Sequence, residues 1–276
     1  MFRPLALAIA LLAGSALTSA AAFAEAHCAA GKTLNDGTLT IATGNPAYYP
    51  WVIDDKPEDG KGFEAAVAYA VAGKMGFAKD AVTWVRTSFD EAIQPGEKNF
   101  DINLQQYSIT DEREKVVSFS EPYYSAAMAV LVKKSAIEGG LKPQRSALKD
   151  LKWGAVASTT ALPVVMEAIA PTSDPLLYDD TANVVEAMKA NQIDAAIFDL
   201  PTALYLSAVV LPDGAVLGQF APDASQKLDR FGMLMTKDNP LKACVDEAVK
   251  ALTEDGTLAR IEAEWLQQAT GVPVIR

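Results

Sequence analysis

Strand-like and helix-like stretches alternate along this chain in two separate series, and that alternation restricts the fold more than any other feature. In the first series, TLTIAT (Thr38 to Thr43) reads as a strand that runs into the turn-rich GNPAYYPW. DDKPEDGKG follows as a loop, read as the tip of a hairpin. FEAAVAYAVAGKM (Phe63 to Met75) is apolar at helical spacing through Phe63, Val67, Ala70 and Val71, and stops around Gly73 and Gly76. Ala81 to Arg86 reads as a strand, Ser88 to Ile93 as a short helix and Phe100 to Leu104 as a third strand. Strands and helices in this order predict a parallel sheet covered by helices.

After Leu104 the rhythm changes. Ala126 to Lys133 (AAMAVLVK) reads as a strand and EGGLKPQRS as a loop. A second series then follows, with strands Trp153 to Val156, Leu176 to Tyr178 and Ala195 to Phe198 around helices Pro163 to Ala170 and Thr181 to Ala190. Phe231 to Thr236 reads as another strand. The chain closes with helices Pro240 to Thr253 and Thr257 to Gln268, parted by Asp255-Gly256. Two α/β series joined by extended segments predict two lobes with a cleft. In open sheets of this kind, ligands sit at the carboxyl ends of strands, near helix N-termini.

The first 24 residues stand apart. MFRPLALAIALLAGSALTSAAAFA has an early arginine, an apolar stretch from Leu5 to Leu12 and small residues ending in Ala22-Phe23-Ala24. This is the pattern of a secretory signal peptide, with cleavage expected after Ala24. The apolar core falls short of the roughly 20 residues that span a bilayer, and Gly14, Ser15, Thr18 and Ser19 interrupt it. Ala26-His27 before Cys28 is not a lipoprotein box.

An exported chain meets an oxidising compartment, so Cys28 and Cys244 are expected to form a disulfide; the alternative is two buried thiols. The only histidine is His27, and two cysteines cannot complete a zinc tetrad, so no metal site is expected. A net charge of −11 disfavours nucleic acid and anionic membrane surfaces as partners. The chain has no P-loop, nucleophile elbow or dinucleotide fingerprint, and no cofactor is implied.

Four clusters fall at strand ends. Asn45 to Trp51 is either an ordinary turn with packed aromatics or an aromatic wall for a ligand. In QQYSITDERE, Thr110 or Asp111 can cap a helix, yet Arg113 opposes the positive end of the helix dipole. Ser158-Thr159-Thr160 precedes Pro163 at a helix start, where hydroxyls and free N–H groups either cap the helix or hold a carboxylate. Asp199 ends the apolar run AAIF, as a helix cap or as a carboxylate facing an ammonium.

Together with GFE (Gly62 to Glu64), SITDER (Ser108 to Arg113), FSEPYY (Phe119 to Tyr124), STT (Ser158 to Thr160), FDLP (Phe198 to Pro201) and EDGTLARIEAEWL (Glu254 to Leu266), these residues carry a resemblance. The mature chain resembles the polar-amino-acid-binding proteins of ABC transporters, type II periplasmic solute-binding proteins of extracellular family 3. The resemblance implies an α/β, two-lobed fold, each lobe a sheet flanked by helices, with a two-strand hinge. Residues 25–127 and 231–276 would form lobe 1 and residues 128–230 lobe 2. It implies a periplasmic monomer that captures an amino acid and delivers it to a membrane permease.

The same resemblance assigns roles. Arg113 would grip the ligand α-carboxylate, assisted by Ser108, Thr159 and Thr160, and Asp199 would take the α-ammonium. Tyr48, Trp51 and Phe89 would line the side-chain pocket. Planar bidentate pairing suits arginine to the first task. Ser158 stands where the family usually has glycine. Asn45 stands where cation-selective relatives often carry an acid, and with Gln105 and Gln106 it points to a neutral or polar ligand. Two alternatives remain open. An exported dehydratase of cyclic amino-acid precursors would need a buried glutamate, such as Glu64 or Glu121, as general acid. A sensor partner of a membrane receptor would use the same closed lobes.

Overall fold

The computed structural model describes residues 28–220, 229–266 and 271–276. The expected leader, its cleavage after Ala24, and His27 lie outside the described residues.

The first sheet is built from β1 (Leu39–Gly44), β2 (Val82–Thr87), β3 (Ile102–Asn103), β4 (Val117–Phe119) and β12 (Leu234–Thr236), in the order β2-β1-β3-β12-β4. β1 pairs parallel with both β2 and β3, and every residue of β1 is buried, as expected of a strand covered on both faces. β12 runs antiparallel to β3 and β4, so the sheet is mixed rather than all parallel. Helices α1 (Phe63–Lys74), α8 (Lys242–Glu254) and α9 (Thr257–Trp265) share one core with Leu39, Ile41 and Ile102. The short helix α2 (Phe89–Ile93) follows β2 and starts on the Ser88 hydroxyl, which accepts the Glu91 N–H. DDKPEDGKG forms two 3-10 turns, Ile53–Asp55 and Pro57–Asp59, rather than a hairpin tip, because β1 finds its partners in parallel.

The second sheet has the order β10-β6-β9-β7-β8, from β6 (Met128–Lys133), β7 (Trp153–Val156), β8 (Leu176–Tyr178), β9 (Ala195–Asp199) and β10 (Gly214–Gln219). β7 pairs parallel with β8 and β9, whereas β6 lies antiparallel between β9 and β10. Helix α4 (Lys134–Glu138) continues from β6, and α5 (Ala161–Val164) follows β7. The two faces of this sheet carry separate cores. One contains Trp153, Val165 and Leu217; the other contains Val184, Met188 and Leu206, beneath α6 (Thr181–Lys189) and α7 (Leu200–Tyr205).

A two-stranded antiparallel pair, β5 (Tyr124–Ala126) with β11 (Asp229–Phe231), lies where the chain passes between the sheets. The expected strand Phe231 to Thr236 is therefore two strands with different partners. The last residues of the chain lie against the second sheet. Val274 bridges Gln219 of β10, and Ile275, 3% exposed, belongs to a second-lobe core. Burial of this apolar side chain draws the last residues onto the second sheet.

Cys28 and Cys244 form a disulfide across a sequence separation of 216, which ties the N-terminal arm to α8. Ala29 follows it into the first core. Among the described residues, no helix is long and apolar enough to cross a membrane, and no cluster of His, Cys, Asp or Glu could hold a metal ion.

Candidate functional site

A cavity of about 260 Å³ opens between the two sheets. Asn45, Tyr48, Trp51, Phe89, Gln106, Ser108 and Arg113 line it from one side, and Thr159, Thr160 and Asp199 from the other. Every ligand-site residue expected from the sequence thus faces one space.

Arg113 lies in the four-residue helix α3 (Asp111–Glu114), capped by the Thr110 hydroxyl, which accepts the Arg113 N–H at 3.2 Å. Asp111, Glu112 and Glu114 are exposed, but Arg113 turns inward and is 8% exposed. Its guanidinium donates to the carbonyls of Ser108 and Ser158, both at 2.8 Å, and lies 5.2 Å from the centre of the Phe89 ring. Burial lowers its pKa, and the nearby Asp229 carboxylate acts in the opposite direction. Two bonds leave donors of the planar fork free for a ligand.

The Ser158 carbonyl reaches Arg113 because Ser158 adopts φ 58°, the left-handed conformation that favours glycine. Thr159 spends its hydroxyl locally, donating to the Val156 carbonyl at 2.8 Å and accepting from the Ala161 N–H at 3.3 Å. The Thr160 hydroxyl lies 3.3 Å from the Ser108 hydroxyl and donates to Asp229 at 2.8 Å. Asp199 caps α7, accepting the Thr202 N–H at 2.8 Å. Burial pushes its pKa up to about 6, with the Asp229 charge adding to the rise.

Trp51 is 1% exposed and packs edge-on against Phe63, Tyr124 and Phe231, so it is as much a core residue as a pocket wall. Gly62 holds it there: at φ 100° its α-carbon lies so close that a Cβ would sit 2.5 Å from the Trp51 carbonyl. That carbonyl accepts the N–H groups of Glu64 and Ala65 at the start of α1. The Tyr48 hydroxyl is buried without a hydrogen-bond partner, and burial raises its pKa to about 12.

Glu64, 1% exposed, also lines the cavity and accepts from the Gln106 N–H at 2.8 Å, from the Gln106 side-chain amide and from the Tyr123 hydroxyl. Burial outweighs these bonds and pushes its pKa up to about 7. Glu121 is exposed, so it does not meet the requirement for a buried acid. The Gln106 amide is committed to Glu64, and the side-chain carbonyl of Gln105 accepts from the Tyr107 hydroxyl at 2.9 Å. Sequence reasoning missed Asp229, which also lines the cavity; it sits in a polar stretch with no motif around it.

The family model for bacterial extracellular solute-binding proteins, family 3, matches residues 39–268. The chain belongs to this family. It is 29% identical to the L-cystine-binding protein TcyJ of Escherichia coli (strain K12) over 264 residues, covering 94% of this chain and 92% of that protein. A solved ancestral arginine-binding protein bound to glutamine aligns with TM-score 0.69 and 26% identity, over 84% of this chain and 98% of the other. The ancestral amino acid-binding protein AncCDT-1, a precursor of cyclohexadienyl dehydratase, aligns with TM-score 0.67 and 27% identity, over 84% and 96%. The fold of this family 3 protein is the two-lobed type II form.

Proposed function

We propose that this protein captures an amino acid between its lobes in the periplasm and, as a monomer, delivers the closed complex to an ABC-transporter permease. The observation that carries this reading is the buried Arg113 on one side of the cavity with Asp199 on the other. That is one cation for an α-carboxylate and one carboxylate for an α-ammonium. The relatives named above bind cystine, arginine or glutamine, and each of these shares those two groups. Closure around them supplies the difference in affinity between open and closed forms that a ligand-driven switch requires. In this reading the lobes are residues 25–127 with 231 onward, and 128–230, with the last few residues crossing back.

Glu64 is the one feature that favours an enzyme, since a carboxyl with pKa near 7 can serve as a general acid. Three donors converge on it, however, which is an arrangement for holding a carboxylate rather than for delivering a proton. A thermal-shift screen of the leader-free protein over the common amino acids tests the binding reading. A rise in Tm with at least one of them supports it through mass action. No shift with any, together with turnover of prephenate or arogenate, replaces it with the enzyme.

A further inference from the structure

Asn45, Tyr48 and Trp51 wall the cavity from a loop that lies outside every helix and strand. Trp51 is anchored by its core packing and by Gly62, which leaves Asn45 to Tyr48 to be placed by other means. One guanidinium meets both ends of this loop. Arg86, near the end of β2, donates from Nη1 to the Gly44 carbonyl at 2.8 Å and to the Asp55 carboxylate at 2.5 Å. Its Nη2 donates to the Asp55 carbonyl at 2.6 Å. The same carboxylate oxygen of Asp55 accepts the Ala47 N–H, inside the loop, at 2.9 Å. Gly44 ends β1 directly before the loop, and Asp55 lies shortly after it. Asp54 and Asp55 both take left-handed conformations, at φ 53° and 55°, which cost non-glycine residues free energy and persist only where the surroundings hold them. Arg86 supplies that hold by engaging both the carbonyl and the carboxylate of Asp55.

We propose that Arg86 and Asp55 are positioning residues for amino-acid binding, which together hold Asn45 to Tyr48 in place as a wall of the cavity. The inference rests on the amino-acid reading above. Neither Arg86 nor Asp55 is among the described residues that line the cavity, so both act through the loop. Asp55 is close enough to Tyr48 for its charge to add to the rise that burial and Asp180 give the tyrosine pKa. Lysine could not take the place of Arg86, because an ammonium is a single point whereas the planar fork spans three acceptors on two segments. As an ion pair alone, half-buried Arg86 with exposed Asp55 would contribute little. The bonds to the Gly44 carbonyl and the Ala47 N–H are what make the pair part of the site.

The test is isothermal calorimetry of the leader-free protein with L-cystine, L-arginine and L-glutamine, extended to the other common amino acids if none of these binds. The tightest binder is then measured on Arg86→Met, Arg86→Lys, Asp55→Asn and the double variant of Arg86→Met with Asp55→Asn. The control is Lys74→Met, which removes the partly exposed ion pair between Lys74 of α1 and Asp255. Arg86→Met should weaken binding at least about tenfold, the scale of one hydrogen bond to a charged group. Arg86→Lys should recover little of that loss, and the double variant should lose about as much as Arg86→Met alone, because the two residues act as one unit. Lys74→Met should bind as tightly as the unmodified protein although it too loses an ion pair. Unchanged affinity in Arg86→Met, full recovery by Arg86→Lys, an equal loss in Lys74→Met or additive losses in the double variant each overturn the inference and leave the amino-acid reading intact. If Arg86→Met fails to fold, Asp55→Asn decides: weaker binding supports the inference and unchanged binding overturns it. Binding of no amino acid by the unmodified protein removes both.

Discussion

The indole N–H of Trp51 donates to the Thr202 hydroxyl at 2.9 Å, joining a residue anchored to α1 with the first turn of α7 on the other side of the cleft. Tyr49 and Tyr205 pack nearby with ring centres 4.2 Å apart. Both contacts cross the cleft between the two sheets, so in the proposed closing mechanism they bear on ligand affinity rather than on the fold of either lobe.

Thr202→Val keeps the shape of the side chain and removes the acceptor, leaving a buried indole N–H unpaired. A group left in that state costs about 1–3 kcal/mol. We expect ligand affinity to fall by roughly 5- to 150-fold, with little change in the unfolding midpoint of the free protein. Calorimetry paired with thermal denaturation checks both; an unchanged affinity would remove the contact from the closing mechanism.

Glu64 makes stability depend on pH. Its folded pKa of about 7 lies above its ordinary value of 4.5, so its contribution is fully present below about 4.5 and is lost as pH rises through 7. A shift of that size corresponds to about 3 kcal/mol. Glu64→Gln should abolish this loss, provided that the Gln106 amide reorients to accept from the new amide. Urea denaturation at pH 5 and pH 8 should show a larger drop for the unmodified protein than for the variant. Equal drops would mean that Glu64 does not titrate in this range.

Ser158→Gly should relieve backbone strain at φ 58° while keeping the carbonyl that Arg113 uses. The left-handed conformation costs a non-glycine residue about 1–2 kcal/mol, and greater freedom of glycine in the unfolded chain offsets part of the gain. A net stabilisation of up to about 1 kcal/mol is expected from denaturant midpoints. Clear destabilisation would show that the serine side chain contributes more than its backbone costs.

Much of this was legible where local pattern and tertiary role agree. Trp153 to Val156 and Leu176 to Tyr178 form strands with the boundaries expected from the sequence. What local pattern does not carry is strand direction and partner choice. β6 and β12 enter their sheets antiparallel, and Phe231 to Thr236 divides because Phe231 pairs with Tyr124 while Leu234 pairs with Phe119. Short strands such as β4, and the helix α7 that starts at Leu200-Pro201, leave too few residues for a period to show. In the site, Arg113 stood out because it conflicted with its helix start. Asp229 conflicted with nothing around it, and only the fold brings it to Thr160.

The central claim is that Arg113 holds a ligand carboxylate inside the closed cleft, and a calorimetric series on Arg113→Ala, Glu112→Ala and Glu114→Ala tests it most directly. Removing one side of a buried charge pair costs about 2–5 kcal/mol, or roughly 30- to several-thousand-fold in affinity. The two glutamates are exposed on the same turn and should each change affinity far less. The account predicts loss of that size for Arg113→Ala alone among the three. Arg113→Ala binding the ligand as tightly as the unmodified protein would contradict it.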